Sequence, residues 1–129
     1  MVGIDTNVLV RYLIQDDPKQ SKRAIELFDS FTITNRGFVS LVVVVETMWV
    51  LNSVYKQEMA KIKEAILKLL RSSRLIVQNS NEIEAALTNE VFKGDAADAI
   101  IAELGMAFGC EETVTFDKKA AGLTGMRLL

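Results

Sequence analysis

Four acidic residues lie at positions from which the fold could bring their side chains into one cleft. Asp5 follows a short apolar stretch, Glu46 interrupts the almost wholly apolar segment Leu41–Val50, and Asp98 and Asp117 lie close to predicted element ends. Carboxylates crowded together repel one another and require either protonation or cations. Their hard oxygen ligands suit Mg²⁺ or Mn²⁺, which can activate water and stabilise charge on a phosphodiester. The pattern therefore indicates a divalent-metal site.

Each of these acids also has an ordinary local explanation. Asp5 could simply cap the helix that follows it, and Glu46 could lie on the solvent face of a helix. Asp95 could cap a helix in which Asp98 is a first-turn acid favoured by the helix dipole. Asp117 could be a turn residue. Taken together, the four acids favour a common site more strongly than any of them does alone.

The absence of histidine limits the chemistry that is available. Serine, cysteine and imidazole-dependent ribonuclease mechanisms usually use histidine to carry the proton near neutral pH, and this chain has none. Cys110, the single cysteine, cannot form an internal disulfide, which fits a reducing cytoplasm. We expect its thiol to be a small buried side chain, because a nucleophilic thiol would need a base.

The bulk properties predict one ordinary globular domain over residues 1–129. Half of the residues are hydrophobic and a quarter are charged, which excludes a disordered chain. No signal peptide is visible at the start, and the longest apolar run, Leu41–Val45, is too short to cross a membrane. We therefore expect a cytoplasmic protein. The formal charge of −2 does not decide whether the partner is a nucleic acid, because carboxylates that hold cations no longer repel phosphate.

Hydrophobic periodicity predicts helices alternating with short strands. The predicted strands are Val2–Ile4, Phe38–Val39, Leu75–Val77, Thr113–Thr115 and Met126–Leu128. The predicted helices cover Thr6–Ile14, a segment starting at Asp17-Pro18, Ser40 to Tyr55, Glu58–Ser72, Asn81–Phe92, and Gly94-Asp95 to about Phe108. Strands separated by helices predict a parallel sheet covered on both faces, with ligand sites at the carboxyl ends of its strands. Asp5 and Asp117 both fall at such ends.

Read in order, these motifs resemble the PIN-domain nucleases, and in particular the VapC toxins of bacterial and archaeal toxin–antitoxin pairs. The opening Val2–Val10 is similar to the N-terminal signature of that family, and Arg11-Tyr12-Leu13 with Asp16-Asp17-Pro18 continues the likeness. Glu46 stands where the family has its glutamate. The segments that resemble the central and C-terminal motifs are Gly94–Ala102 and Thr115–Lys119.

The resemblance implies a three-layer α/β/α sandwich with a parallel five-stranded sheet. It implies Mg²⁺- or Mn²⁺-dependent endoribonuclease cleavage of structured RNA, often transfer or ribosomal RNA. It also implies a homodimer and inhibition by a small antitoxin whose tail enters the active site. The resemblance further implies that Asp5, Glu46, Asp98 and Asp117 are the acidic ligands of the metal. Asn7 and Thr115 would orient ligands or water, and Asp95 would be an auxiliary acid.

Basic residues could form a rim for RNA phosphates around such a cleft, although a solvated charged surface is the commoner explanation for most of them. The candidates are Arg11, Lys19, Lys22, Arg23, Lys118 and Lys119. The apolar residues within Met48–Leu70 could line a dimer or antitoxin groove, but core packing is their commoner role.

Other protein classes fit the sequence less well. A receiver-type signalling domain would have paired acids after the first strand, whereas Asp5 is followed by Thr6 and Asn7. A haloacid dehalogenase-like phosphatase would have a second aspartate where Asn7 stands. A non-catalytic binding module of the same fold and a stand-alone RNA-processing nuclease remain open alternatives.

Overall fold

Short strands alternate with helices along the whole chain. The computed structural model describes all residues, Met1–Leu129, and they divide into two units, Met1–Gln78 and Asn79–Leu129. The first unit contains β1 (Val2–Gly3), α1 (Thr6–Leu13), α2 (Pro18–Ser30), β2 (Gly37–Val39), α3 (Leu41–Ser53), α4 (Met59–Leu70) and β3 (Leu75–Val77). The second contains α5 (Ser80–Leu87), α6 (Ala96–Ala107), β4 (Thr113–Thr115), a 3-10 helix (Ala120–Gly122) and β5 (Met126–Leu128). The predicted mixed α/β class is confirmed.

The three strands of the first unit form a parallel sheet in the order β1-β2-β3. Gly3 of β1 pairs with Phe38 of β2, and Phe38 pairs with Ile76 of β3. Just beyond β1, the Ile4 amide donates to the Phe38 carbonyl at 2.9 Å. This bond holds the chain against β2 up to the residue before Asp5, so the position of Asp5 is set by the sheet.

Side-chain caps begin the first three helices where the sequence predicts them. Asp5 caps α1, Asp17 caps α2 with Pro18 in the first turn, and Ser40 caps α3 by accepting a hydrogen bond from the Val43 amide at 3.2 Å. Because each cap satisfies amides that the helix itself leaves free, these starts can be read directly from the sequence.

The core of the first unit is made by inward-facing side chains of the helices and by the central strand. Leu9 of α1, Leu51 of α3 and Ile62 and Ile66 of α4 are fully buried. Burial of Ile62, Ile66 and Leu69 confirms the predicted apolar face of α4. Of the apolar residues considered for a docking groove, Met48, Leu51, Ile62, Ile66 and Leu69 belong to the core, whereas Trp49 and Val54 are exposed.

In the second unit, β4 and β5 pair in parallel, with Val114 opposite Arg127. Helices α5 and α6 pack against each other through buried residues that include Ile83 and Ile100. No helix of the structure is long and apolar enough to span a membrane.

Three expectations are corrected by the structure. The five parallel strands do not share one hydrogen-bonded ladder: they form a three-stranded and a two-stranded sheet. The helix predicted over Asn81–Phe92 ends at Leu87, where the Thr88 hydroxyl bonds to the Glu84 carbonyl, and Val91 beyond it is 90% exposed. Cys110 is exposed rather than buried. It follows Gly109 (φ +95°) in the turn that ends α6, where its amide bonds to the Gly105 carbonyl.

Candidate metal centre

Asp5 combines a capping role with an open coordination position. Its Oδ1 accepts a hydrogen bond from the Thr6 amide at 2.8 Å, which confirms the local role of helix cap. The other carboxylate oxygen, Oδ2, makes no hydrogen bond or ion pair within the protein, and the residue is exposed. The cap therefore orients the carboxylate and leaves one oxygen available to a ligand.

Asp5 and Glu46 line the same cavity, which has a volume of about 320 Å³. Glu46 lies on the exposed side of α3 and makes no ion pair. The cavity is also lined by Thr6 and Asn7. Two residues that are 41 positions apart in the sequence thus present acidic side chains to one space, as expected for a shared site.

Thr6 lines the same cavity and carries a buried hydroxyl without a protein partner. The residue is 8% exposed, and its buried Oγ1 has no hydrogen-bond partner in the protein. Buried hydroxyl groups almost always have a partner, because leaving one unpaired costs about 1–3 kcal/mol. The hydroxyls of Ser21 and Thr47 are unpaired in the same way, so the unpaired hydroxyl of Thr6 does not by itself mark a ligand site.

The second unit brings three other acids close together. Asp95 caps α6 by accepting from the Ala97 amide at 2.9 Å, and Asp98 lies in the first turn of the same helix. Burial raises the pKa of the Asp98 carboxyl above its usual range, and the negative charges of Asp95 and Asp117 raise it further. A cation near Asp98 would relieve this repulsion.

Asp117 is held in a tight turn after β4. Its Oδ1 accepts hydrogen bonds from the amides of Lys119 (2.8 Å) and Ala120 (3.3 Å). Its own amide donates to Oγ1 of Thr115 at 3.1 Å. Thr115, proposed to orient ligands or water, is seen here to fix the turn that presents Asp117.

The structure brings the acids together in two sets, Asp5 with Glu46 and Asp98 with Asp95 and Asp117. No group of three or more acidic, histidine or cysteine side chains has the arrangement of a complete metal site. Convergence of all four expected ligands on one ion therefore stays a prediction. Both sets offer the hard oxygen donors that a divalent cation prefers, and in the first set one oxygen of Asp5 has no partner in the protein.

The residues expected to form a basic rim are mostly exposed. Lys118 and Lys119 flank Asp117 along the chain, and Lys19, Lys22 and Arg23 lie on α2. Arg11 differs from them because it lines the cavity of Asp5 and Glu46 and is tied to neighbouring side chains. Sequence reasoning missed Tyr55, which lines the same cavity and bonds to Arg11, since nothing local links two residues 44 positions apart.

The model of the PIN domain family matches residues 2–124, and this chain therefore belongs to the PIN domain family, a family of nucleases. Among solved structures, the chain is similar to the toxin VapC20 of Mycobacterium tuberculosis, described as cleaving the sarcin–ricin loop. The two chains share 19% sequence identity and a TM-score of 0.47, over 98% of this chain and 99% of that one. No curated protein matches the chain significantly.

Proposed function

We propose that this PIN-domain nuclease is a Mg²⁺- or Mn²⁺-dependent endoribonuclease, with Asp5, Glu46, Asp98 and Asp117 as the metal ligands. One observation carries the proposal: Glu46 and Asp5, whose Oδ2 has no protein partner, line one cavity. A bound divalent cation supplies activation of water and neutralisation of phosphate charge, which suits a chain without histidine.

The residues around the acids have positioning roles in this proposal. The cap between Asp5 and the Thr6 amide engages Oδ1 of Asp5 and leaves Oδ2 without a partner in the protein. Asn7 lines the cavity without a hydrogen bond within the protein, so its amide is free to orient water or substrate. Thr115 holds the turn of Asp117. Asp95 caps α6 and adds negative charge beside Asp98.

Removing divalent cations tests the proposal directly. We expect the purified protein to cleave RNA with Mg²⁺ or Mn²⁺, to stop when a chelator is added, and to resume when the cation is restored in excess. The Asp5→Asn variant, purified in the same way, should be inactive and controls for contaminating nucleases. Cleavage that persists in the chelator, or at the wild-type rate in Asp5→Asn, would reject the proposal.

The likeness of the first eighteen residues to VapC proteins further supports a toxin acting in the cytoplasm on transfer or ribosomal RNA. A small antitoxin and a second copy of this chain are the proposed partners. The exposed apolar side chains Val42 (72%) and Trp49 (63%), seven residues apart on α3, offer a surface for one of them.

Expression of the chain should arrest growth, and co-expression of a short adjacent reading frame should restore it. If expression of an active nuclease did not affect growth, the stand-alone RNA-processing nuclease would be the favoured alternative.

A further inference from the structure

Arg11 is the one basic residue lining the cavity that Asp5 and Glu46 share. It also lines an adjoining cavity of about 430 Å³, which is bordered by Arg23 of α2. Asn7 lines both cavities. Arg11 thus lies between two cavities, one lined by the carboxylates of Asp5 and Glu46 and the other bordered by a second basic residue, Arg23.

Three side chains from different parts of the first unit hold this guanidinium. Nη1 donates to Oδ1 of Asp16 at 3.1 Å and to the Tyr55 hydroxyl at 2.8 Å. Nε donates to Oε1 of Gln20 at 2.8 Å. The Tyr55 hydroxyl in turn donates to Oδ2 of Asp16 at 3.1 Å, which closes the ring of hydrogen bonds.

These bonds leave part of the guanidinium free. An arginine has five N–H donors, and three of them are occupied by Asp16, Tyr55 and Gln20. Nη2 makes no hydrogen bond and is not among the buried atoms that lack a partner. The side chain of Arg11 is 27% exposed, so these two remaining donors are accessible to a ligand.

We propose that Arg11 is a phosphate anchor for RNA, fixing the backbone where the strand passes from the acidic cavity into the adjoining one. This inference rests on the proposed function, because it takes RNA as the ligand of the cavity. A planar, permanently charged group with two donors on one nitrogen suits phosphate oxygens, and its orientation by Asp16, Tyr55 and Gln20 reduces the entropy lost on binding. Tyr55 is then a positioning residue that acts through Arg11.

A purely structural role for Arg11 would be to tie α1 to α2 and to the end of α3. Exposed ion pairs contribute little to folding, and the side chain of Asp16 is 45% exposed. Arg11→Gln is therefore expected to fold, which its circular dichroism spectrum checks. A binding measurement separates the two roles, because only the anchor contacts the RNA.

The test measures binding of a fluorescently labelled pool of random-sequence single-stranded RNA by anisotropy, in an Asp98→Asn background that prevents cleavage. We expect Arg11→Gln to weaken binding by about tenfold or more, as for loss of a charged hydrogen bond. The slope of log affinity against log salt should flatten by about 0.7, the value for one phosphate contact to a single strand. The matched control is Arg71→Gln at the exposed end of α4, which lines none of these cavities and should change neither quantity.

Arg11→Lys and Tyr55→Phe keep the test decisive if Arg11→Gln does not fold. Arg11→Lys keeps the positive charge but loses the planar guanidinium. The slope of log affinity against log salt should therefore be retained, while the affinity for RNA falls. Tyr55→Phe should weaken binding in the parent background but add nothing to Arg11→Gln, as expected for residues that act through one contact. RNA binding by the Arg11 variants within twofold of Arg71→Gln would overturn the anchor. Failure of the parent chain to cleave RNA would instead reject the proposed function.

Discussion

Replacing Asp98 with asparagine should reduce RNA cleavage roughly a thousandfold, because a divalent cation contributes several kcal/mol to the transition state and each ~1.4 kcal/mol is about tenfold in rate. The change keeps the size of the side chain and removes its charge. Burial, and the neighbouring charges of Asp95 and Asp117, disfavour the ionised form of Asp98 and raise its pKa. A cation is the simplest compensation for that cost. Single-turnover cleavage of labelled RNA measures the effect.

The matched control for this substitution is Glu103→Gln, which removes one acid from the same helix, α6, outside the proposed site. Its cleavage rate should equal that of the wild type. A circular dichroism spectrum should show both variants folded. Equal rates in Asp98→Asn and Glu103→Gln would show that Asp98 is only a first-turn helix acid.

Replacing Phe31 with alanine should lower the free energy of unfolding by about 3–5 kcal/mol, the usual cost of removing a buried phenyl ring. Phe31 is 2% exposed and packs edge-on against Phe28, with ring centroids 5.7 Å apart. Its ring also lies against β2: a Cβ built on Gly37 would be 2.5 Å from Cε2 of Phe31. Because ring and strand fit so closely, the truncated side chain would leave a cavity that the backbone cannot fill.

Urea denaturation followed by circular dichroism, which reports on the helices of both units, measures this loss. Phe108→Ala is the matched control, since Phe108 is 92% exposed and its removal should change stability by less than about 0.5 kcal/mol. If Phe31→Ala and Phe108→Ala had the same effect, the assigned core of the first unit would be wrong.

The features that the sequence predicts correctly depend on hydrogen bonds between residues that are close together in the chain. Asp17, Ser40 and Asp95 begin helices because their side chains accept hydrogen bonds from amides two or three residues onward. Such bonds are formed within one turn, so the residue type and its position are sufficient to predict them. The acids of the candidate site were found for the same reason, because each lies at the end of a strand, at a helix start, or in an apolar segment.

Contacts between distant residues set the rest of the structure. Strand pairing depends on the whole chain, and the division into a three-stranded and a two-stranded sheet has no signature in any one strand. The end of α5 at Leu87 was missed because Val91 and Phe92 look like a continued apolar face. Tyr55 reaches Asp16 and Arg11 across 39 and 44 positions, a relation that no local pattern predicts.

Calorimetric titration of Mn²⁺ into the protein tests most directly whether the two sets of acids serve one centre. Mn²⁺ should bind the wild type, and Asp5→Asn, Glu46→Gln, Asp98→Asn and Asp117→Asn should each weaken binding by more than about tenfold, whereas Glu103→Gln should not. Unchanged Mn²⁺ affinity in both Asp98→Asn and Asp117→Asn, or in both Asp5→Asn and Glu46→Gln, would contradict a shared centre.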